Sequence, residues 1–131
     1  MPSFADKLTG PEKDFVTALR RIIKMADRAA KEAPGAIMSA KDALCYNEQE
    51  TFKYGLAKGK SGITFHSMVM YANADIADLG KSSLTGAKFQ KGCINIPDPD
   101  AFDLKAFENW MNASAKKDFS PVIEHYRKKR I

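Results

Sequence analysis

Apolar and polar positions alternate from Thr51 to Ser67, TFKYGLAKGKSGITFHS. Phe52, Tyr54 and Leu56 share one face, KGKSG breaks the run, and Ile63 and Phe65 resume the apolar face. Two period-two runs around a glycine-rich break predict a β-hairpin. Ala36–Ala40 and Ala43–Tyr46 predict two more short strands, and the polar Asn47-Glu48-Gln49-Glu50 predicts the turn joining the second to Thr51–Ala57. With Gly62–Met68 these make an antiparallel meander of three or four strands.

Helical periodicity flanks the meander. After a lead-in over residues 1–10, Pro11 and Glu12 open a helix, with proline at its first position and an acid in its first turn. Phe15, Leu19, Ile22, Ile23 and Ala26 form its apolar stripe, and Arg20, Arg21, Lys24, Arg28 and Lys31 fall largely off it. The spacing predicts a helix over Glu12–Glu32, stopped ahead of Pro34-Gly35 because a residue before proline avoids the helical region. Past the meander, Val69–Ala72 is ambiguous, and Asn73 or Asp75 caps a short helix to Leu79 with Gly80 as its stop. Lys81–Gly86 reads as loop and Ala87–Ile96 as a last strand, in which Gly92 marks a bulge or a close backbone approach. Asp103 caps a helix to about Lys116 with Leu104, Phe107, Trp110 and Met111 inward. Ser120-Pro121 opens a terminal basic helix (117–131) with Val122, Ile123 and Tyr126 inward. This order predicts one α+β domain over 1–131: an N-terminal helix, a curved antiparallel β-sheet, a short helix before the last strand, and C-terminal helices packed on the sheet.

Composition narrows the class. A chain of 131 residues buries enough surface for a core without metal or disulfide staples. Two cysteines make no disulfide framework and read as reduced thiols of a cytoplasmic chain. No apolar run approaches the ~18 residues of a membrane span, and the N-terminus lacks the pattern of a secretory leader, so no membrane partner is expected. The net charge of +5 points first to solubility and second to a polyanion. A nucleic-acid reading would rest on the basic first helix and on Arg127–Arg130.

Candidate chemistry is sparse. His66 lies on the strand face opposite Ile63 and Phe65, with no histidine, cysteine or carboxylate at ligand spacing, so it reads as a plain strand residue; His125 reads as helix surface. Cys45 and Cys93 read as inert thiols, although Lys91 precedes Cys93 closely. Asp98, Asp100 and Asp103 read as turn and cap residues, because they lack the glycine and glutamate of a calcium loop. No glycine-rich nucleotide-binding turn is present. No catalytic residue, metal ligand or cofactor is assigned, so an enzyme is the less favoured reading. Binding is assigned to Lys88, Lys91, Gly92, Cys93 and His66. If Lys58, Lys60, Lys88 and Lys91 shared one rim they would hold an anion; lysines guarding a sheet edge are the plainer account.

The segments LCYNEQETFKYGLAK, SGITFHSM and TGAKFQKGCINI, followed by a proline- and acid-rich step into a helix, resemble the YdhG-like family, the domain-of-unknown-function family numbered 1801. LRRIIKMADRAAKEAP is similar to its opening helix, whereas DALCYN departs from the family's usual glycine-proline-tyrosine-like step. The resemblance covers most of the chain. It implies a curved antiparallel sheet packed against helices and supplies no catalytic residues. For some members it implies a frataxin-like link to iron delivery, which relies on an acidic first helix. The expectation is a non-enzymatic binding or adaptor domain, with an iron chaperone and a nucleic-acid or anion-binding module as alternatives and a homodimer left open.

Overall fold

The computed structural model describes residues 3–60 and 62–129; Ser61 of the hairpin break and Arg130 of the basic tail lie outside them. Six strands, β1 (Lys31–Ile37), β2 (Ala40–Glu48), β3 (Thr51–Gly59), β4 (Gly62–Ser67), β5 (Lys88–Phe89) and β6 (Cys93–Ile96), form one antiparallel sheet in the order β1-β2-β3-β4-β6-β5. The helices are α1 (Gly10–Ala26), α2 (Met68–Ala72), α3 (Ala74–Ser83), α4 (Leu104–Ala115) and α5 (Ser120–Lys129). The expected α+β class is observed, with helices packed on an open, curved sheet. No described helix is long and apolar enough to cross a membrane.

One face of the sheet carries the main core. Tyr46, Tyr54, Leu56, Ile63, Phe65, Ile94 and Ile96 meet Phe15, Leu19 and Ile23 of α1 and Phe107, Trp110 and Met111 of α4. The residues ahead of α1 are more than a lead-in: Ser3 caps a short 3-10 turn, and Phe4, Ala5 and Leu8 are buried in that core.

Several boundaries differ from expectation, each for a physical reason. The first helix stops at Ala26 rather than Glu32 because Asp27 is drawn into the core, where its carboxylate meets Lys53 Nζ at 2.7 Å and accepts from the Tyr54 hydroxyl at 2.8 Å. Lys31–Ile37 is therefore a strand, and the expected strand Ala36–Ala40 is instead its end, the turn and the start of β2. Pro34 is tolerated because β1 is an edge strand, where a missing N–H costs no central ladder bond. Met68 opens α2 instead of ending β4. Gly80 is inside α3, not its stop. A Cβ there would stand 3.0 Å from both the Phe89 and Trp110 rings, so glycine permits the close approach that lets Trp110 Nε1 donate to the Ile76 carbonyl at 2.9 Å. The expected strand Ala87–Ile96 is a hairpin of two short strands turning at Gln90–Gly92.

The β2–β3 hairpin departs furthest from the expected alternation. Tyr46 pairs with Tyr54 but Asn47 pairs with Phe52, so β3 holds one extra residue, Lys53, in a β-bulge. The bulge sends Phe52 to the opposite face from Tyr54 and Leu56. Phe52 packs with Ile37, Ala43, Cys45 and Ala57 in a small second cluster to which, among the described residues, no helix contributes.

Candidate functional site

The face of the sheet opposite the main core has a floor of small residues. Across it runs the register Cys45–Gly55–His66–Cys93, with Ala57–Thr64–Asn95 beside it. Ile37 and Phe52 lie over Gly55. A Cβ at Gly55 would meet Phe52 ring atoms at 2.8 and 2.9 Å and Ile37 Cδ1 closer still, so glycine lets both side chains rest flat on the strands.

Of these residues, Ile37, Phe52, His66 and Cys93 line an apolar groove of about 490 Å³. Ile37, Phe52 and the Met38 side chain, 90% exposed in the β1–β2 turn, form its wall above β3. His66 and Cys93 belong to the strands beside it, β4 and β6. Met68 and Tyr71 of α2 and the turn Gln90-Lys91-Gly92 complete the lining. Lys91 Nζ stands 5.2 Å from the Tyr71 ring centroid, a cation–π contact. Among the described residues, no carboxylate lines the groove, and Lys91 is its one formally charged side chain. Beyond Phe52 and Met68 a second hollow of about 340 Å³ is bounded by Glu50, Thr51 and Tyr126.

Four of the five residues assigned to binding, His66, Lys91, Gly92 and Cys93, line this one groove. The fifth, Lys88, is exposed on β5 opposite Asn95 and is not part of the lining. The lysines do not form one rim: Lys58 pairs with Ile63 near the β3–β4 tip and binds Glu12 at 2.9 Å, whereas Lys91 sits past the opposite end of β5. The sequence reading found no partner for His66, yet Cys93 is directly across from it. It also missed Ile37, Met38, Met68 and Tyr71 as lining residues. The legible signal was small residues at alternate positions of adjoining strands, Ala43 and Cys45 then Gly55 and Ala57.

Lys91 apart, the groove's imidazole and thiol are held in their neutral forms. Burial holds the His66 imidazole below its ordinary pKa and pushes the Cys93 and Cys45 thiols up. The Cys93 thiol donates to Gln90 Oε1 at 3.2 Å, which orients the sulfur without deprotonating it. The setting suits binding better than thiolate nucleophilic attack. Carboxylates near the first helix are engaged elsewhere: Glu12 with Lys58, Asp27 with Lys53, and Glu32 with Arg20. Comparison of this chain with family models, curated proteins and solved structures finds no match.

Proposed function

We propose that the chain is a non-enzymatic binding domain of the YdhG-like type whose ligand site is the groove on the face of the sheet opposite the main core. Its volume lies within the ~300–1,000 Å³ range of small-molecule sites. The observation that carries the reading is the lining itself: apolar walls, a neutral imidazole and thiol, and a single cation, Lys91, with no carboxylate among the described lining residues. Such a surface fits a small apolar molecule bearing one negative group. The apolar part would rest on Ile37 and Phe52 and the anion beside Lys91.

Anilinonaphthalene sulfonate, an apolar anion, is a direct probe. Fluorescence titration should show one probe per chain, displaced by octanoate more effectively than by octylamine. Lys91→Glu should weaken binding several-fold, and Cys93→Trp, which fills the groove, should abolish it while circular dichroism stays unchanged. Equal binding by wild type and both folded variants would overturn the reading.

A further inference from the structure

We propose that His66 and Cys93 form a site for a soft monovalent metal ion, Cu(I), with the Met68 thioether as a third donor. The proposal stands apart from the small-molecule reading and does not rest on it.

The geometry begins with the register. His66 of β4 is directly opposite Cys93 of β6. The Ser67 N–H donates to the Gly92 carbonyl at 3.0 Å, a ladder bond at the neighbouring pair, so His66/Cys93 occupies a non-hydrogen-bonded position. At such positions the Cα atoms approach to about 4.5 Å and side chains are closest. Side chains do meet across these strands on this face: Thr64 Oγ1 donates to Asn95 Oδ1 at 2.8 Å in the adjoining pair. Met68 follows His66 by two positions and lines the same groove.

The donor set selects the ion. Imidazole nitrogen, thiolate and thioether are borderline-to-soft donors, which favour Cu(I). Calcium and magnesium need several oxygen ligands, and no carboxylate is among the described lining residues. Zinc takes three or four protein ligands from histidine, cysteine and carboxylates, and among the described residues no group of three such side chains stands together. Cu(I) is satisfied by two donors in a line or three in a plane. On binding, a sulfur–copper bond forms, the Cys93 proton leaves to solvent, and Gln90 Oε1 loses its hydrogen-bond donor. Thiolate and Cu(I) cancel in charge, so the loaded site adds no net charge to an apolar groove, where an uncompensated ion would be costly.

The test is anaerobic titration of the reduced full chain with Cu(I) against the colorimetric chelator bicinchoninate. One Cu(I) per chain is expected, and X-ray absorption should report nitrogen and sulfur donors at low coordination number. Cys93→Ser and His66→Phe should each weaken binding by at least ~100-fold, the upper end of what losing an outer-shell partner costs a metal site. Met68→Leu should weaken it less and reduce three donors to two. Cys45→Ser should leave it unchanged, since Cys45 is separated from His66 by the Gly55 strand. In wild type, redox-inert Ag(I) should shift the His66 ring nitrogen resonances, a readout independent of how the variants fold. Failure of the chain to hold Cu(I) against the chelator, loss of binding in Cys45→Ser, or full binding in Cys93→Ser and His66→Phe would overturn the proposal. Cys93→Ser should still bind anilinonaphthalene sulfonate, so failure of the metal site and failure of the small-molecule reading give different results.

Discussion

Lys53 takes an ammonium into the core. Its side chain is 3% exposed and contacts Asp27 and Glu48, each at 2.7 Å, with the Phe119 ring centroid 4.9 Å away. Removing it leaves the Asp27 carboxylate buried without a cation, the costly way to break an ion pair. Lys53→Met should therefore lose about 3–5 kcal/mol in urea unfolding, and adding Asp27→Asn should recover part of that loss. A single-variant cost under ~1 kcal/mol would show that the cluster contributes little. Glu32 makes a second tie between helix exit and sheet. It accepts from Arg20 at 2.7 and 3.1 Å and from the Tyr46 hydroxyl at 2.6 Å. Burial alone would raise its carboxyl, but the Arg20 and Tyr46 bonds outweigh it and hold the pKa below the usual 4.5. A depressed carboxylate contributes stability above its unfolded pKa that is lost as pH falls through the folded value. Unfolding free energy measured at stepped pH should thus decline below 4.5, and Glu32→Gln should be less stable at neutral pH with a shallower acid slope.

At the scale of elements, the β2–β3 connection is a two-residue loop, Gln49-Glu50, with φ of 50° and 65°. Both values belong to the left-handed region that such hairpin turns require and that Asn-Gly adopts most readily. Glutamate at φ 65° carries a strain of about 1–2 kcal/mol that glycine does not. Glu50→Gly should raise the thermal midpoint, since relief of that strain exceeds the entropy glycine adds to the unfolded chain; a fall would mean that the Glu50 side chain contributes more than its backbone costs. The bulge four residues from Gln49 has the opposite character. It inserts Lys53 into the ladder, turns Lys53 inward, and delivers Phe52 to the groove.

Across the whole molecule, stability is unevenly shared. Helix α1 buries four residues in the main core and α4 three, whereas α5 buries Ile123 alone, with Val122 and Tyr126 half-buried. Regions with few buried apolar contacts open at lower free energy than the core. Hydrogen exchange should therefore show α5 amides exchanging well before those of α1 and α4. Equal protection of all three helices would mean that α5 is integral to the cooperative unit. Because Tyr126 borders the hollow beside Thr51 and Phe52, opening of α5 would widen the space next to the groove.

Period and punctuation in the chain determined the α+β class, the α4 cap at Asp103, the hairpin about Gly59–Gly62, and the placement of His66 away from Phe65, because these depend on neighbours close in sequence. The end of α1, the strand through Pro34, the bulge at Lys53 and the meeting of His66 with Cys93 were decided by tertiary structure. Each depends on partners far along the chain: Asp27 on Lys53, Pro34 on its edge position beside Leu44, Phe52 on Ile37 and Gly55, and Cys93 on the register of β4 with β6. One inserted residue reverses which face every later side chain of a strand presents. Local alternation alone therefore could not show which face of the hairpin would be buried under helices and which left open as a groove.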